Sequence, residues 1–547
     1  MRYTFADVMA AQANRFGDKP YLVWDIGQDA PRSLSFAGFH RAAGVVATFL
    51  HRLGVQQGDH VVAAVSNSPE MVVLYGAVTY LGAVVVPVNP GLAPEEMRYV
   101  IDHAEAKVVV ADPVVLRALR QRGGLPRMAY WIPAVDDTEV VVEAGAEAEI
   151  LRDAEAGAGP AGGCPHESPE GAGLTNAIRT VIERNELDDD LPPGADPETT
   201  AMILYTSGTT GRPKGAMLSH QGVLRTGQAI CDFLGSTPEE RILNLLPMTH
   251  CFSICVEILH ALLSGGTLYL RSGRFAPRAV LGEIARHRIT FICGVPSIFM
   301  VLNEALDRRE FDVSSLRVGL VGGAPVPVET VREFEGKTGI IIVEGYGQTE
   351  LSPLASLQPP HPDKRRLGSC GVPIPGTEVR IVDRAGHDVP VGETGELLVR
   401  GFNVMKGYWK QPEETAAAIE PDGWLHTGDV FRQDADGYLY MVDRLKDVII
   451  YGGYNIYPKE VESVLYQHPA VEEAYVVGAS DPLKGEVPVA FVRLDSGSDA
   501  KAVQPELEAL CRQHLADYKR PRRYLFVDDF PRTPSGKVLR RELRERA

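Results

Sequence analysis

The sequence reads as an α/β protein, with a large N-terminal domain of doubly wound mixed sheets carrying a small β-barrel-like subdomain, followed by a small α+β domain. Three observations carry this reading. β-Branched runs at residues 61–65, 84–88, 107–111, 201–205, 267–270, 290–293, 317–321 and 340–344 alternate with helical segments, the order that builds largely parallel sheets covered on both faces. After about Gly371 the runs shorten and turn residues punctuate them, and from Asp443 the pattern is mixed again. One hydrophobic core stops growing near roughly 250–300 residues, so the N-terminal portion must itself divide. The domains are read as residues 1–442 and 443–547.

Taken in order, the first element that needs defending is 71–88, which carries no charge and reaches the shortest membrane-spanning length. Gly82 divides it: residues 71–81 read as a buried helix with Gly82 as its C-cap, and 84–88 as a buried strand ending at the turn Asn89-Pro90-Gly91. That alternation belongs to an α/β core. Residues 136–198 are rich in Ala, Gly, Pro and acid; they cannot bury enough apolar surface to order themselves and read as an acidic, flexible excursion without functional residues. Runs at 377–382 and 395–399, and the pair 430–433 and 438–442 flanking Asp436-Gly437, read as hairpins of the small barrel. Beyond them come an amphipathic segment at 458–467, strands at 471–477 and 488–494, and a helix at 505–515.

Over 547 residues, 45% hydrophobic and 23% charged content is ordinary for a globular protein, which excludes collagen-like, disulfide-scaffold and wholly disordered classes. The formal net charge of −17 argues against coating nucleic acid or an anionic membrane. Seven cysteines without a CxxC pair suit a reducing compartment. The first residues, with Asp7, Arg15 and Asp18, carry no apolar signal region. Cytoplasmic placement, with small molecules as partners, is the expectation.

Five segments carry chemistry. Thr206-Ser207-Gly208-Thr209-Thr210-Gly211-Arg212-Pro213-Lys214-Gly215 follows the run 201–205. Its glycines let backbone approach an anion, its hydroxyls and amides donate to phosphate oxygens, and Lys214 supplies a movable charge. This reads as a phosphate loop, although a Ser/Thr/Gly turn uses the same residue types. A Walker A loop needs G-x-x-x-x-G-K-[ST] running into a helix; Pro213 before Lys214 and Gly215 after it disfavour a kinase or P-loop ATPase. In Glu344-Gly345-Tyr346-Gly347-Gln348-Thr349-Glu350, the aromatic offers a stacking face and the carboxylate an oxygen for a hard cation such as Mg²⁺, while a single Glu350 would also suit a solvated surface. In Trp424-Leu425-His426-Thr427-Gly428-Asp429, Asp429 could accept from two ribose hydroxyls, or the segment could be a plain turn. The stretch from Asp443 to Pro458 joins charged residues, a buried strand and Gly452-Gly453 into a linker that lets a ligand come close. Lys537 stands in the turn Pro531-Arg532-Thr533-Pro534-Ser535-Gly536-Lys537, where a bland surface lysine would also fit.

In this order and spacing the five segments resemble the adenylate-forming superfamily of acyl-CoA synthetases, peptide-synthetase adenylation domains and firefly luciferase, over nearly the whole chain from about Thr4 to Arg544. The motifs are most similar to those of medium- and long-chain fatty-acid CoA ligases. The resemblance implies that Thr206, Ser207, Gly208, Thr209, Thr210, Gly211 and Lys214 hold the β- and γ-phosphates of ATP and that Thr206 and Glu350 ligate Mg²⁺. Gly322-Gly323-Ala324 and Gly345-Tyr346 match the adenine segments, with Gly347 and Thr349 in the same nucleotide-binding set, and Asp429 and Arg444 match the ribose contacts. Lys537 matches the lysine that bridges the acid's carboxylate and the α-phosphate. Lys446 falls at the hinge of a mobile lid domain, 443–547, that presents Gly452-Gly453 for the CoA step. His250 matches the histidine beside the acyl group and thiol tunnel, and with Lys537 and Glu350 makes the catalytic set. Most of the family has Gly where this chain has Asp443; Asp resembles the long-chain branch.

The chemistry agrees with these roles. Joining a carboxylate to the α-phosphate brings anions together, so a divalent cation and an ammonium must offset the repulsion. A lysine on a lid that later swings away lets one site host thiolysis next.

The acid pocket is less legible. The segment Leu246-Pro247-Met248-Thr249-His250-Cys251-Phe252-Ser253-Ile254-Cys255 has no acidic residue between His250 and Cys255, where α-amino-acid-activating enzymes pair the substrate ammonium. His250, Cys251 and Cys255 could be imagined as a metal set, but on one apolar helix they read as packing. Ile292, Val295, Phe299 and Met300 suggest an apolar acid. The expectation is therefore an AMP-forming acyl-CoA ligase: ATP and a medium- or long-chain fatty acid give acyl-adenylate and pyrophosphate, then CoA gives acyl-CoA and AMP. An aryl acid, or a carrier protein as acceptor in place of CoA, is the alternative. Neither nucleic acid nor a transmembrane segment is expected; peripheral membrane contact and a homodimer are left open.

Overall fold

The computed structural model describes residues 3–27, 30–121, 129–131, 195–206, 213–271, 275–324, 326–452, 454–532 and 538–547. Most of the expected acidic excursion, 136–198, lies outside them. The chain forms two compact units, Met1–Glu378 with Arg400–Leu425, and Val379–Val399 with His426–Ala547.

The first unit holds two sheets. One has seven strands in the order Gly407–Tyr408, Lys214–Ser219, Thr200–Thr206, Val84–Pro87, His60–Ala64, Val108–Ala111, Ala129–Trp131. The other has nine, in the order Val372–Pro373, Ser356–Leu357, Ile341–Tyr346, Val318–Val321, Phe291–Gly294, Arg241–Asn244, Thr267–Leu270, Pro20–Trp24, Arg32–Ser35. The central strands, Val84–Pro87, His60–Ala64 and Val108–Ala111 in the first sheet and Phe291–Gly294 and Val318–Val321 in the second, run parallel to their neighbours among these and are buried along their whole length, as strands covered by helices on both faces must be. All eight strands expected in this region form, within one or two residues of the expected ends.

The uncharged stretch behaves as a core element. Its helix, Pro69–Tyr80, starts two residues earlier than expected because Ser68 Oγ accepts the Met71 N–H at 3.2 Å and Pro69 stands at the first helical position. Gly82, at φ +66°, turns the chain into the strand Val84–Pro87. Among the described residues no helix is long and apolar enough to cross a membrane.

Strands that sequence periodicity did not disclose include Pro20–Trp24, Arg241–Asn244 and Lys214–Ser219. Arg241–Asn244 begins with a charge and ends with an amide, so it shows no apolar run. Its strand identity comes from pairing in parallel with Thr267–Leu270 on one side and Phe291–Gly294 on the other.

The second unit also holds two sheets. The expected small barrel is a four-stranded sheet in linear order, Thr377–Val382, Thr394–Gly401, Leu425–Gln433, Leu439–Arg444. Its hairpin turn is closed by Asp434 Oδ1, which accepts the Asp436 and Tyr438 N–H groups, each at 3.0 Å. Because the last strand runs on to Arg444, the boundary expected at 442/443 falls inside a strand, and residues 379–399 and 426–442 pack with the C-terminal residues. The other sheet pairs Tyr454–Ile456, Ile449–Tyr451, Gly485–Leu494 and Val471–Asp481, with Arg523–Phe526 parallel to Gly485–Leu494. The helices Pro458–Leu465 and Ala500–His514 bury Val461, Leu465 and Leu507 against it. The second helix starts five residues before the expected Pro505: Asp499 Oδ1 accepts the Lys501 N–H at 3.1 Å, and Pro505 is carried inside the helix.

The nine-stranded sheet is anchored by Phe299 and Phe334, both buried, whose rings meet edge to face at 5.3 Å. Phe334→Ala is expected to cost about 3–5 kcal/mol, read by calorimetry as a lower temperature of the transition that melts this unit.

Candidate functional site

Four parallel strands of the nine-stranded sheet end level with one another. Gly294 pairs with Val321, Val321 with Glu344, and Ile292 with Leu243. The chain leaves their carboxyl ends as the loops at 245–250, 295, 322–324 and 347–350, and ligands of doubly wound sheets bind outside such ends. Gly322 is pressed between the end of the strand Ile341–Tyr346 and the short helix Cys251–Ser253: a Cβ there would lie 3.3 Å from the Gly345 carbonyl oxygen and 3.3 Å from Phe252 Cζ. Gly323 has φ +80°, and Ala324 beside it is exposed. The two segments matched to adenine contact, 322–324 and 345–346, are therefore adjacent, and the residues after His250 reach them. Tyr346 is only 6% exposed, so little of its ring is offered for stacking.

Of the residues matched to phosphate binding, Thr206 and Lys214 are described and stand on two antiparallel strands. Thr206 ends one strand and is the cross-strand partner of Lys214, which begins the next. Residues Ser207, Gly208, Thr209, Thr210 and Gly211 between them lie outside the described residues. Gly407–Tyr408 adds to the same ladder, Tyr408 opposite Ala216. Tyr408, which the sequence reading missed, joins the parts: the Lys214 amine lies 5.1 Å from its ring centroid, and its hydroxyl donates to Glu350 Oε1 at 3.0 Å. Burial first, then the Glu350 and Glu414 carboxylates, push the Tyr408 pKa up, which keeps the hydroxyl protonated as a donor. Lys214 forms an ion pair with Glu414, its own side chain 13% exposed. Only an aromatic run, Gly407-Tyr408-Trp409, marked this segment in the sequence.

Glu350 stands on the single turn Thr349–Leu351, half-buried rather than on an open surface, and its backbone oxygen accepts the Met405 N–H at 2.8 Å. The turn is seated closely: a Cβ on Gly347 would fall 1.7 Å from the Pro353 oxygen. Among the described residues no group of three or more His, Cys, Asp or Glu could hold a metal by itself. One carboxylate from Glu350 and one hydroxyl from Thr206, completed by phosphate oxygens, make a hard-oxygen donor set of the kind Mg²⁺ takes.

His250 does not continue one apolar helix. Its Nδ1 accepts the Phe252 N–H at 3.1 Å and caps the short helix Cys251–Ser253, after which the chain runs as a π-helix, Ile254–Leu259, and returns to α-helix at His260–Ser264. Cys251 Sγ lies 3.4 Å from Thr349 Oγ1 and 3.8 Å from His250 Nδ1, while the Cys255 thiol donates to the Ser352 carbonyl at 3.3 Å. Cys255 thus bonds away from the other two, while Cys251 lies between His250 and Thr349. The Cys251 charge raises the His250 pKa; burial opposes the Cys251 thiolate, but His250 and Thr349 outweigh it and lower the thiol pKa.

Two residues past Cys255, the π-helix carries Glu257, which the sequence reading passed over. It is fully buried, and burial pushes its pKa up to about 7. Of the residues expected to mark an apolar pocket, Ile292 and Phe299 belong to the sheet's core and Met300 is 48% exposed; periodicity could not separate pocket from core.

In the second unit, Asp429 and Arg444 are cross-strand partners, Arg444 Nε lying 3.5 Å from Asp429 Oδ1. Asp443, buried, accepts the Arg444 N–H at 2.8 Å and the Lys459 N–H at 2.9 Å, so it takes up one of the orphan donors at the start of helix Pro458–Leu465, a role Gly could not fill. Lys446 sits on the turn Leu445–Asp447, its amine pKa lowered first by burial. Arg544 donates to the Lys446 carbonyl at 2.9 Å and to Asp447 Oδ1 at 2.7 Å. Gly452, at φ +55°, is exposed in the turn between Ile449–Tyr451 and Tyr454–Ile456. Gly453 and Lys537 lie outside the described residues.

Comparison with known proteins bears on this arrangement. The AMP-binding enzyme family matches residues 9–409, and the AMP-binding enzyme C-terminal domain matches 460–537. The chain is 34% identical to a long-chain-fatty-acid–CoA ligase of Bacillus subtilis (strain 168), over 99% of this chain and 94% of that protein. It is 37% identical to a feruloyl-CoA synthase of Amycolatopsis sp, over 94% of each. The crystal structure of ATP-bound MatB from Rhodopseudomonas palustris superposes with a TM-score of 0.83 at 30% identity, covering 100% of this chain and 99% of that one.

Gly347→Ala is expected to force the Pro353 backbone aside, costing about 3 kcal/mol and weakening ATP binding at least tenfold by titration calorimetry. Gly336→Ala, inside the helix Val328–Thr338 with nothing within 4 Å of the new Cβ, should leave ATP binding unchanged and raise stability by up to about 1 kcal/mol.

Proposed function

The chain belongs to the adenylate-forming AMP-binding enzymes and, within them, to the AMP-forming acyl-CoA ligases; from that premise we propose that the acid it activates is a medium- or long-chain fatty acid. The observation that carries the choice is the segment after His250. From Cys251 to Leu259 its side chains are neutral except Glu257, whose carboxylate is engaged by protein donors and offers no charge to a substrate. Such a wall suits an apolar tail better than an ammonium or a second carboxylate. The similarity to a long-chain-fatty-acid–CoA ligase over 99% of the chain supports the same reading. A second reading, an aryl acid, is favoured by the 37% identity to a feruloyl-CoA synthase.

In the proposed reaction Lys214 and the hydroxyls and amides of its hairpin loop hold the β- and γ-phosphates, which must draw the amine from Glu414. Glu350, held by Tyr408, and Thr206 would hold Mg²⁺, which when bound neutralises phosphate charge. Asp429 and Arg444 take the ribose, and Lys537 places its ammonium between the acid carboxylate and the α-phosphate, offsetting the repulsion that otherwise blocks attack. CoA is the proposed acceptor.

A panel of octanoate, palmitate, ferulate and benzoate, assayed for CoA-dependent AMP release, tests the substrate. The fatty acids should give kcat/KM at least about tenfold above the aryl acids, equivalent to roughly 1.4 kcal/mol. The reverse order establishes the aryl reading, and acyl-adenylate formation that free CoA does not consume would point to a carrier protein. Lys537→Ala should lower adenylation by about 10²-fold or more while leaving the conversion of preformed acyl-adenylate to thioester within a few-fold. Equal loss of both half-reactions in a folded variant would contradict the role given to Lys537.

A further inference from the structure

Glu257 is a carboxylate with no role in the reaction described above, and its surroundings are specific. Oε1 accepts the backbone N–H groups of Leu245 at 2.9 Å and Leu246 at 3.4 Å, with the Cys293 thiol at 3.5 Å; Oε2 accepts from Asn244 Nδ2 at 2.6 Å and Ser253 Oγ at 2.5 Å. The first two groups belong to the turn that leaves the strand Arg241–Asn244 and ends at His250. Asn67 grips the same turn from another element: its Nδ2 donates to Asn244 Oδ1 and to the Leu246 carbonyl, each at 2.8 Å, and its Oδ1 accepts the Met248 N–H at 2.8 Å. The Tyr75 hydroxyl donates to the Met248 carbonyl at 2.8 Å.

Backbone groups that a strand would pair are, in such a turn, left to side chains. Here Glu257 takes two of them and also ties Ser253, one turn before it on the helix that His250 caps. The π-helix is what brings a side chain of the same short helical segment back under the turn, and π-turns inside α-helices recur at functional sites. A fully buried carboxylate costs more than a buried apolar side chain unless its hydrogen bonds hold something in place.

We propose that Glu257 is a positioning residue for the acid pocket: with Asn67 it fixes the turn at 244–250 and so sets where His250 stands beside the acyl group. The inference rests on the acyl-pocket reading of His250. It is distinct from a substrate-binding role, since the carboxylate is fully buried and both of its oxygens are engaged by protein donors.

The chemistry of the clamp prescribes the variants. Glu257→Gln keeps an acceptor for the Leu245 and Leu246 N–H groups and a donor for Ser253 Oγ, which can accept in its turn, but sets its new NH2 against Asn244 Nδ2, itself a donor. Glu257→Ala removes both. Displacement of a positioning group by about 1 Å can cost up to about 10²-fold, so Glu257→Ala should raise KM for the acid about tenfold with KM for ATP within twofold, and Glu257→Gln, which keeps the Leu245 and Leu246 bonds but loses the one from Asn244, should recover part of that loss. Asn67→Ala, on a half-buried residue, should repeat the Glu257→Ala signature and decides the matter if that variant does not fold. Hydrogen exchange by mass spectrometry should show faster exchange confined to 244–252 in Glu257→Ala and Asn67→Ala, and less of it in Glu257→Gln.

The proposal is overturned if both removals leave the acid KM and the exchange of 244–252 unchanged, if ATP and acid KM rise together, or if Glu257→Gln is as impaired as Glu257→Ala. Should the wild type ligate none of the acids in the panel, the functional reading fails, and the exchange pattern alone then decides whether Glu257 holds the turn.

Discussion

The parallel ladder of the nine-stranded sheet is the constraint on which the candidate site depends. Strands paired in register end together, and in this sheet the register places Gly294, Val321 and Glu344 level. Four loops far apart in sequence are thereby delivered to one edge, where a Cβ on Gly322 would come within 3.3 Å of the Gly345 carbonyl oxygen. None of these contacts involves a long side chain reaching across the protein. They follow from backbone position, which is why glycine recurs where they are closest. The burial of the strands, in turn, makes the register costly to slip, because a shift by one residue would exchange every core-facing side chain.

Within each unit, cations stand beside carboxylates of the same unit. Lys214 meets Glu414, Arg444 meets Asp429, and Arg544 meets Asp447. A partly buried cation without a counter-charge would be costly, so each has an internal carboxylate. Tyr408 serves a different purpose. It has no charge to lose, and because its pKa is pushed up it stays a donor to Glu350 while its ring lies by the Lys214 amine. Glu257 and Asn67 likewise spend polar groups on backbone geometry, holding the turn before His250.

The fold was largely legible in the sequence wherever periodicity is strong. The helix Pro69–Tyr80 and the strand after Gly82, the hairpin closed by Asp434, and the alternation through Ile341–Tyr346 all follow from local pattern and turn chemistry. Arg241–Asn244 was not legible, because its strand identity comes from two neighbours and not from its own composition. The start of helix Ala500–His514 was misplaced because Pro505 suggests a first turn, whereas Asp499 supplies the cap. In the site, Thr206, Lys214 and Glu350 were named from motif chemistry, but Tyr408 and Glu257 were not: an aromatic in a short loop and an acid in an apolar run announce nothing until their partners are known.

What the sequence determined by itself is the inventory: which segments carry phosphate-loop glycines, the carboxylate at Glu350, the paired Asp429 and Arg444, and an overall alternation of strand and helix. These are local properties, written in residue type and spacing. The tertiary structure alone decided which groups meet. That Lys214 stands over Tyr408, that Asp443 supports helix Pro458–Leu465, and that a π-turn sets Glu257 under the turn before His250 depend on sheet order and register. Those are fixed by packing between residues tens to hundreds of positions apart, and no local pattern encodes the distance between them.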